Sequence, residues 1–260
     1  MSIVLNEYEW AEKAIRDRDL GKKPGETIGR VAKYYLHNGY SKKETRDLLD
    51  AFVLRCDPNS SITKWSAVLD NSVKYASKYP LVILDEVPIT MQEMQKIDEL
   101  KSRQAKRLAF TLLCIAKYKY LARGNAGYWV GTHDSEIMSM ANINTSIKRQ
   151  SLLFGQLRDA GLIRFSKKID NLDVQVLFVS EGDTAVSVTD FRNLGYQYLK
   201  YRGEPYFECQ CCGLTIKQNT GAGRKQKYCS CCAAKVKMQQ SVNAVMRIRN
   251  KVNMEEKSIK

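Results

Sequence analysis

WVGTHDSEIMSMANINTSIKRQSLLFGQLRDAGLIRFSKKIDNLDVQVLFV, residues 129–179, changes its hydrophobic period partway along. Up to Gly161 the apolar residues recur at helical spacing; beyond it, LIRFSKK and VQVLFVS read as strands. The pattern predicts a short helix over Asp134–Ala141 with Ile137, Met140 and Ala141 inward, then a turn at Asn142-Ile143-Asn144. A second helix follows from about Thr145 to Ala160, with Gly161 as its stop. A hairpin closes across Ile169–Asp173. At about 100° per residue, the second helix sets Ile147, Leu153, Phe154 and Leu157 on one side. Lys148, Leu152 and Gln156 take the other, with Arg149 at its flank. Just upstream, RLAFTLLCIAKYKYLA (residues 107–122) is apolar on nearly every face and predicts a central buried helix.

Helix, helix, short turn, helix and β-hairpin is the order of a winged helix-turn-helix, expected here over residues 107–182. Its second helix would enter a major groove, and its hairpin would offer cations to phosphates. The expected contacts are Asn144, Thr145, Lys148, Arg149, Leu152 and Gln156 on the helix and its approach, with Arg164, Lys167 and Lys168 on the wing. Winged helices also serve as protein–protein modules, and Leu152 fits a protein contact as well as a thymine methyl. The stretch resembles the winged-helix domains of phage replisome-organiser proteins from Gram-positive hosts. The likeness lies in Trp129-Val130, Glu136-Ile137 and Ala141-Asn142, followed by Leu157-Arg158-x-x-Gly161-Leu162-Ile163. It implies a mobile-element protein that binds duplex DNA in replication initiation or transcriptional control.

The charge distribution points the same way. The chain of 260 residues carries a net charge of +14. Residues 1–100 hold 15 basic and 16 acidic side chains, residues 101–180 hold 13 and 5, and residues 191–260 hold 14 and 4. A localised basic surface attracts a polyanion through counterion release, and nucleic acid is the first candidate. No bulky amphipathic face accompanies the charge, so a membrane partner is not expected. The N-terminal MSIVLNEYEW has no signal-peptide pattern, and the expectation is a cytosolic protein.

Six of the eight cysteines fall in ECQCCGLTIKQNTGAGRKQKYCSCCAAKVK, residues 208–237. Cys209/Cys212 and Cys229/Cys232 form C-x2-C-x16-C-x2-C, the spacing of a four-cysteine zinc site. In a reducing cytosol clustered thiols read as metal ligands before disulfides. Each CxxC turn brings two thiolates onto one tetrahedral ion, so one structural zinc per chain is expected. Gly213 stands where such a knuckle needs a left-handed residue. Leu214–Lys217 and Arg224–Tyr228 are expected to pair as a hairpin. So small an element has too little core to fold without metal. Cys211 and Cys231 are surplus: alternative ligands, or spare thiols open to oxidation. Lys217, Arg224, Lys225 and Lys227, on the loop between the knuckles, are further candidates for DNA contact. The segment also resembles the zinc-ribbon or treble-clef-like tails at the ends of phage proteins. The match lies in Glu208-Cys209, Cys212-Gly213, Arg224-x-x-Lys227-Tyr228-Cys229 and Cys232-Ala233.

The first 80 residues predict four helices. Their apolar stripes are Tyr8, Ala11 and Ile15; Ile28, Val31, Ala32 and Tyr35; Leu48, Leu49, Phe52 and Val53; and Trp65, Val68, Leu69, Ser72, Tyr75 and Ala76. Ser41 and Glu44 predict a capping box. Residues 21–76 loosely resemble the helical domain that follows the catalytic core of some phage and plasmid primases, without the acidic metal-binding motifs of a primase.

The expected fold is mainly α and multidomain: a helical domain at 1–88, a helical connector at 89–106 and the winged helix at 107–182. An aromatic-basic linker at 183–207 follows, then the zinc module at 208–237 and a basic helix and tail at 238–260. In the linker, interleaved aromatic and basic residues suit either base stacking or docking of the zinc module, and docking is the favoured expectation. No Walker lysine loop, GxSxG, HExxH or nuclease-like carboxylate cluster is present, so no enzymatic activity is expected. The alternatives are a factor that binds a host polymerase or nucleic-acid-guided nuclease, with residues 1–88 as a protein contact, or an RNA-binding protein.

Overall fold

The computed structural model describes residues 3–124, 127–166, 173–219, 221 and 225–258, with side chains as far as Met246. The described chain is mainly helical. In order its elements are α1 (Glu7–Asp17), α2 (Pro24–His37), α3 (Lys42–Cys56), α4 (Ile62–Ala76), β1 (Val87–Thr90), α5 (Met91–Asp98), α6 (Arg103–Arg123), α7 (Asp134–Met140), α8 (Ile147–Asp159), β2 (Ile163–Phe165), β3 (Val174–Val176), β4 (Thr184–Val188), α9 (Leu194–Tyr201), β5 (Tyr206–Glu208), β6 (Thr215–Lys217) and α10 (Ser230–Ser258). Three antiparallel pairs form, β1–β4, β2–β3 and β5–β6. Among the described residues no helix is long and apolar enough to cross a membrane.

Two compact units form. The first comprises Met1–Met91, Cys114–Val130 and Glu181–Phe191. The four helices expected from the N-terminal stripes are all present. Ser41 caps α3 by accepting from the Glu44 N–H, while the Glu44 carboxylate accepts from the Ser41 N–H at 2.8 Å, the reciprocal box the sequence predicts. Ala11, Ile28, Val31, Leu49, Phe52 and Leu69 are fully buried together. Burying each large aliphatic or aromatic side chain contributes about 1.5–3 kcal/mol before entropic losses. The α4 stripe is narrower than expected, since Val68 and Tyr75 are more than one-third exposed.

The same unit buries an ionic cluster that helix periodicity does not announce. Glu7, Arg30 and Lys33 are each no more than 3 % exposed. Lys33 Nζ lies 2.8 Å from Glu7 Oε2 and Arg30 Nε 3.5 Å from Oε1. The Val82 N–H donates to Glu7 Oε2 at 3.0 Å, and the Arg30 guanidinium lies 4.8 Å from the Trp10 ring centroid. β4, in the segment expected as linker, closes this unit by pairing with β1, Val87 opposite Val188.

The second unit comprises Gln92–Leu113, Gly131–Ser180 and Arg192–Lys260. The connector expected as one helix is broken: α5 ends at Asp98 and α6 begins at Arg103. Lys106 Nζ donates to the Asp98 carbonyl at the break. The turn after α7 is the centre of the unit. Asn142 is left-handed at φ 55, its carbonyl accepts from Arg107 Nη1 at 3.0 Å, and its Oδ1 accepts from the Tyr196 N–H at 3.2 Å. α9 approaches α7 so closely that a Cβ on Gly195 would stand 1.9 Å from the Ala141 carbonyl oxygen. Only glycine fits there. Within this unit α8 is followed by the β2–β3 hairpin, with Leu153, Phe154 and Leu157 buried. Ile147, expected on that buried side, is 81 % exposed. It is the first residue of the helix, ahead of the turn whose apolar face meets the core.

Candidate metal centre and nucleic-acid interface

The four expected ligands come together. One sulfur from each of Cys209, Cys212, Cys229 and Cys232 lies within 4.8 Å of the others, and the Cys212 and Cys229 sulfurs are 3.9 Å apart. Metal–thiolate bonds of about 2.3 Å in a tetrahedron require sulfurs separated by about 3.8 Å, so the donor set fits one structural ion. Cys209, Cys229 and Cys232 are buried and Cys212 is half-buried, whereas Cys211 and Cys231 are exposed. The surplus thiols therefore stand outside the four-sulfur cluster.

Local backbone geometry builds each knuckle. After Cys209 the chain turns so that the Gly213 N–H donates to the Cys209 carbonyl at 2.9 Å, and Gly213 is left-handed at φ 71 as its position predicts. The Cys209 N–H reaches the Leu214 carbonyl at 3.0 Å. Cys229 immediately precedes α10, and Cys232 lies in its first turn. The Cys229 N–H donates to the Cys209 sulfur at 3.3 Å and the Cys232 N–H to the Cys229 sulfur at 3.4 Å. Backbone donors of this kind stabilise thiolates. Burial pushes the Cys209 thiol up, but N–H groups of Cys229, Cys211 and Cys212 outweigh it and bring the group down to about 6. Cys232 moves upward, chiefly through its hydrogen bond with Cys229 and then with Cys212. Packed thiols divide in this way because neighbouring thiolates repel, and a shared cation removes the conflict.

The hairpin at the centre differs from the expected one. β6 pairs with β5, Tyr206 opposite Lys217 and Glu208 opposite Thr215, and not with residues 225–228 of the expected partner segment, whose Arg224 lies outside the described residues. The Cys209–Gly213 knuckle is itself the turn that reverses the chain. Residues 225–228 attach through the Gln210 N–H to the Lys227 carbonyl at 3.0 Å. Among the described residues the apolar cover is Leu214, Ile216 and Tyr228, too little to hold the fold unaided.

Residues 192–207 dock this element onto the rest of the second unit. Arg192 Nη2 donates to the Cys212 carbonyl at 2.6 Å, Asn193 Nδ2 to the Thr215 carbonyl at 2.9 Å, and Lys200 pairs with Glu208 at 2.6 Å. Tyr196 and Tyr206 pack ring on ring, 4.9 Å between centroids. Tyr198 is buried and donates to Asp98 Oδ1 at 2.6 Å.

The residues expected to meet DNA divide between two surfaces of this unit. On α8 and its approach, Asn144, Lys148, Arg149, Leu152 and Gln156 are exposed and Thr145 is half-buried. Ser146 caps the helix by accepting from the Arg149 N–H, and Gln150 Nε2 donates to the Thr145 carbonyl at 3.1 Å. Arg164 on β2 is exposed and its Nε is held by Gln175 across the hairpin. Lys167, Lys168 and Arg224 lie outside the described residues. Lys217, Lys225 and Lys227 are exposed beside the cysteine cluster. His133 has a structural role, its Nδ1 accepting from the Ser135 N–H at the start of α7. Asn142, which the sequence places in a turn, and Asn193, which it does not single out, are both left-handed.

Comparison with protein-family models, with curated proteins and with solved structures returns no significant match.

Proposed function

We propose that this chain is a non-enzymatic DNA-binding protein of phage or mobile-element type, acting in replication initiation or transcriptional control, whose second unit reads duplex DNA as a winged helix-turn-helix. Support comes chiefly from one observation: α8 presents Lys148, Arg149, Leu152 and Gln156 outward, immediately ahead of a hairpin carrying Arg164. A basic, amide-bearing helix face at the N-terminal half of a helix is the chemistry that reads base edges, while hairpin cations take phosphates. The cysteine cluster would hold zinc, whose preference for four thiolates in a tetrahedron matches the donor set. With all four positions filled by protein the ion is structural. It would fix the loop bearing Lys217, Lys225 and Lys227 for phosphate contact.

The test is binding of the intact protein to random and selected duplexes over a range of salt. Affinity should fall steeply with salt. Lys148→Ala with Arg149→Ala should erase site preference, at about 1–3 kcal/mol for each base-reading pair removed. Salt-independent binding, or preference retained by the double variant, would refute the reading.

A second reading rests on the exposed apolar residues of the same face. Ile147 and Leu152 are 81 % and 52 % exposed, which suits contact with a host replication or transcription protein as well as a thymine methyl. Affinity purification with and without nuclease treatment separates the two.

A further inference from the structure

The terminal helix α10 carries an apolar seam that no described part of the chain covers. The helix begins at Ser230 and runs for 29 residues. At about 1.5 Å per residue it is about 43 Å long. Its start belongs to the cysteine cluster, with Cys232 buried and Val236 half-buried. From Lys237 to Met246 every side chain is exposed. A helix with solvent on all sides draws no stability from tertiary packing, which supplies most of it in proteins. Four of these exposed side chains are apolar: Met238 at 72 %, Val242 at 43 %, and Val245 and Met246 at 54 % each.

The spacing is that of a coiled coil. Cys231, Lys235, Met238, Val242 and Val245 follow one another at alternating steps of four and three, as d, a, d, a and d of successive heptads. Cys231, one of the two surplus thiols, is exposed and opens the seam. Met246 widens it at the adjoining e position. At about 100° per residue, Cys232 and Val236 lie about 100° or more from the middle of the seam, so the cysteine cluster leaves it open. The exposed flanking residues Ala234, Gln239 and Ser241 carry no charge. A second copy of the helix therefore meets no like charge beside the seam, whereas an acidic partner finds no cation on these flanks to pair with.

We propose that α10 pairs with the α10 of a second copy as a parallel two-stranded coiled coil, in which Cys231 meets Cys231 of the partner subunit. Parallel pairing sets d against d and a against a, and leaves both cysteine modules at one end. Antiparallel pairing centred on the stretch from Met238 to Met246 would run residues beyond 254 past the start of the partner helix, where its cysteine module sits. Lys235 is the charged a position of the described seam. A lysine there costs stability and specifies register and oligomeric state. A contact about 43 Å long and about 10 Å wide buries about 860 Å² over both chains, less than the roughly 1,000 Å² that marks a stable interface, so the pair exchanges with monomer. The inference does not rest on the duplex reading.

The test is sedimentation velocity of the intact protein, freed of nucleic acid by nuclease, from about 1 μM to about 100 μM. Mass should rise with concentration from 29.7 kDa towards twice that value. Val242→Glu with Val245→Glu should remain at 29.7 kDa throughout. Lys235→Leu, which makes the seam continuous, should tighten association about tenfold. With Cys211→Ser in place to remove the other exposed thiol of the module, a short bis-maleimide should join two chains through Cys231, and adding Cys231→Ser should abolish the product. A mass of 29.7 kDa at every concentration overturns the proposal. So does a dimer that survives the glutamate pair, or a dimer that gives no Cys231 product. Should the glutamate variant lose its helical circular dichroism, Lys235→Leu decides: association unchanged or weakened overturns the proposal.

Discussion

Asn142 Nδ2 donates to Asn193 Oδ1 at 2.9 Å, and both residues are left-handed, at φ 55 and φ 53. Asn193 in turn donates to the Thr215 carbonyl, so two asparagines carry a hydrogen-bonded path from the α7 turn to the β5–β6 hairpin. Asparagine tolerates the left-handed region and supplies both a donor and an acceptor, a combination glycine lacks.

Asn142→Ala should therefore destabilise the second unit by about 1–3 kcal/mol from hydrogen bonding, with an added backbone penalty. Asn142→Gly removes the same hydrogen bonds but keeps the φ, and should be the milder substitution. Urea midpoints at unchanged m-value measure the difference. Gly195→Ala, which drives a Cβ into the Ala141 carbonyl, should be worse than either.

Metal content provides the second check. Protein purified under reducing conditions should carry one zinc per chain by elemental analysis. Cys209→Ser or Cys232→Ser should abolish it and unfold the β5–β6 element, whereas Cys211→Ser and Cys231→Ser should retain it, because those thiols are exposed outside the cluster. Chelation should reproduce the ligand variants.

Alkaline pH should weaken the first unit. Burial raises the Tyr118 phenol from 10.0 to about 12, and the nearby Glu7 carboxylate adds to the effect. Between these values the unfolded chain has lost the proton and the native chain has kept it, so stability falls as pH rises. The loss is about 2 kcal/mol over that window. Tyr118→Phe should flatten this part of the profile. Denaturation midpoints from about pH 9 to about pH 12 provide the readout.

Glu7 faces two buried cations. Glu7→Gln should cost about 3–5 kcal/mol, since it takes from buried Lys33 its counter-charge and from buried Arg30 the nearer of two carboxylates, leaving Glu26 at 4.0 Å. Lys33→Met, which removes a charge and keeps an apolar stem, should cost less. A larger loss for Lys33→Met in chemical denaturation would contradict the ion-cluster account.

Local features are legible in the sequence and distant pairings are not. Ser41 and Glu44 announce their box because its partners are three residues apart, and the CxxC spacing announces the cysteine cluster for the same reason. Leu153 and Leu157 repeat every turn on α8 and are buried as that period demands. Val87 and Val188 pair across more than a third of the chain, and no local period records such a partnership. Glu7, Arg30 and Lys33 read as ordinary charged residues on amphipathic helices; their burial depends on which helices meet. The hairpin partner of β6 is not legible because short segments flank it on both sides and only the knuckle geometry chooses between them. On the α8 side, exposure of Lys148 and Gln156 follows from helical period alone, whereas Ile147 shows that period fails at a helix end, where the core has stopped.

The β1–β4 pairing also sets the order of events on the ribosome. Val87 leaves the exit tunnel long before its partner Val188 has been made. Translation at about 5–20 residues per second leaves that edge unsatisfied for about 5–20 seconds. The four N-terminal helices can pack in that interval, but the first unit is complete only after residue 191 emerges. Neither unit is one continuous segment of the gene. A fragment ending before Glu181 lacks a strand of the first unit, and one beginning after Met91 strands Cys114–Val130 without the helices of its own unit. Dissecting the two units therefore requires point substitutions in the whole chain, not truncation.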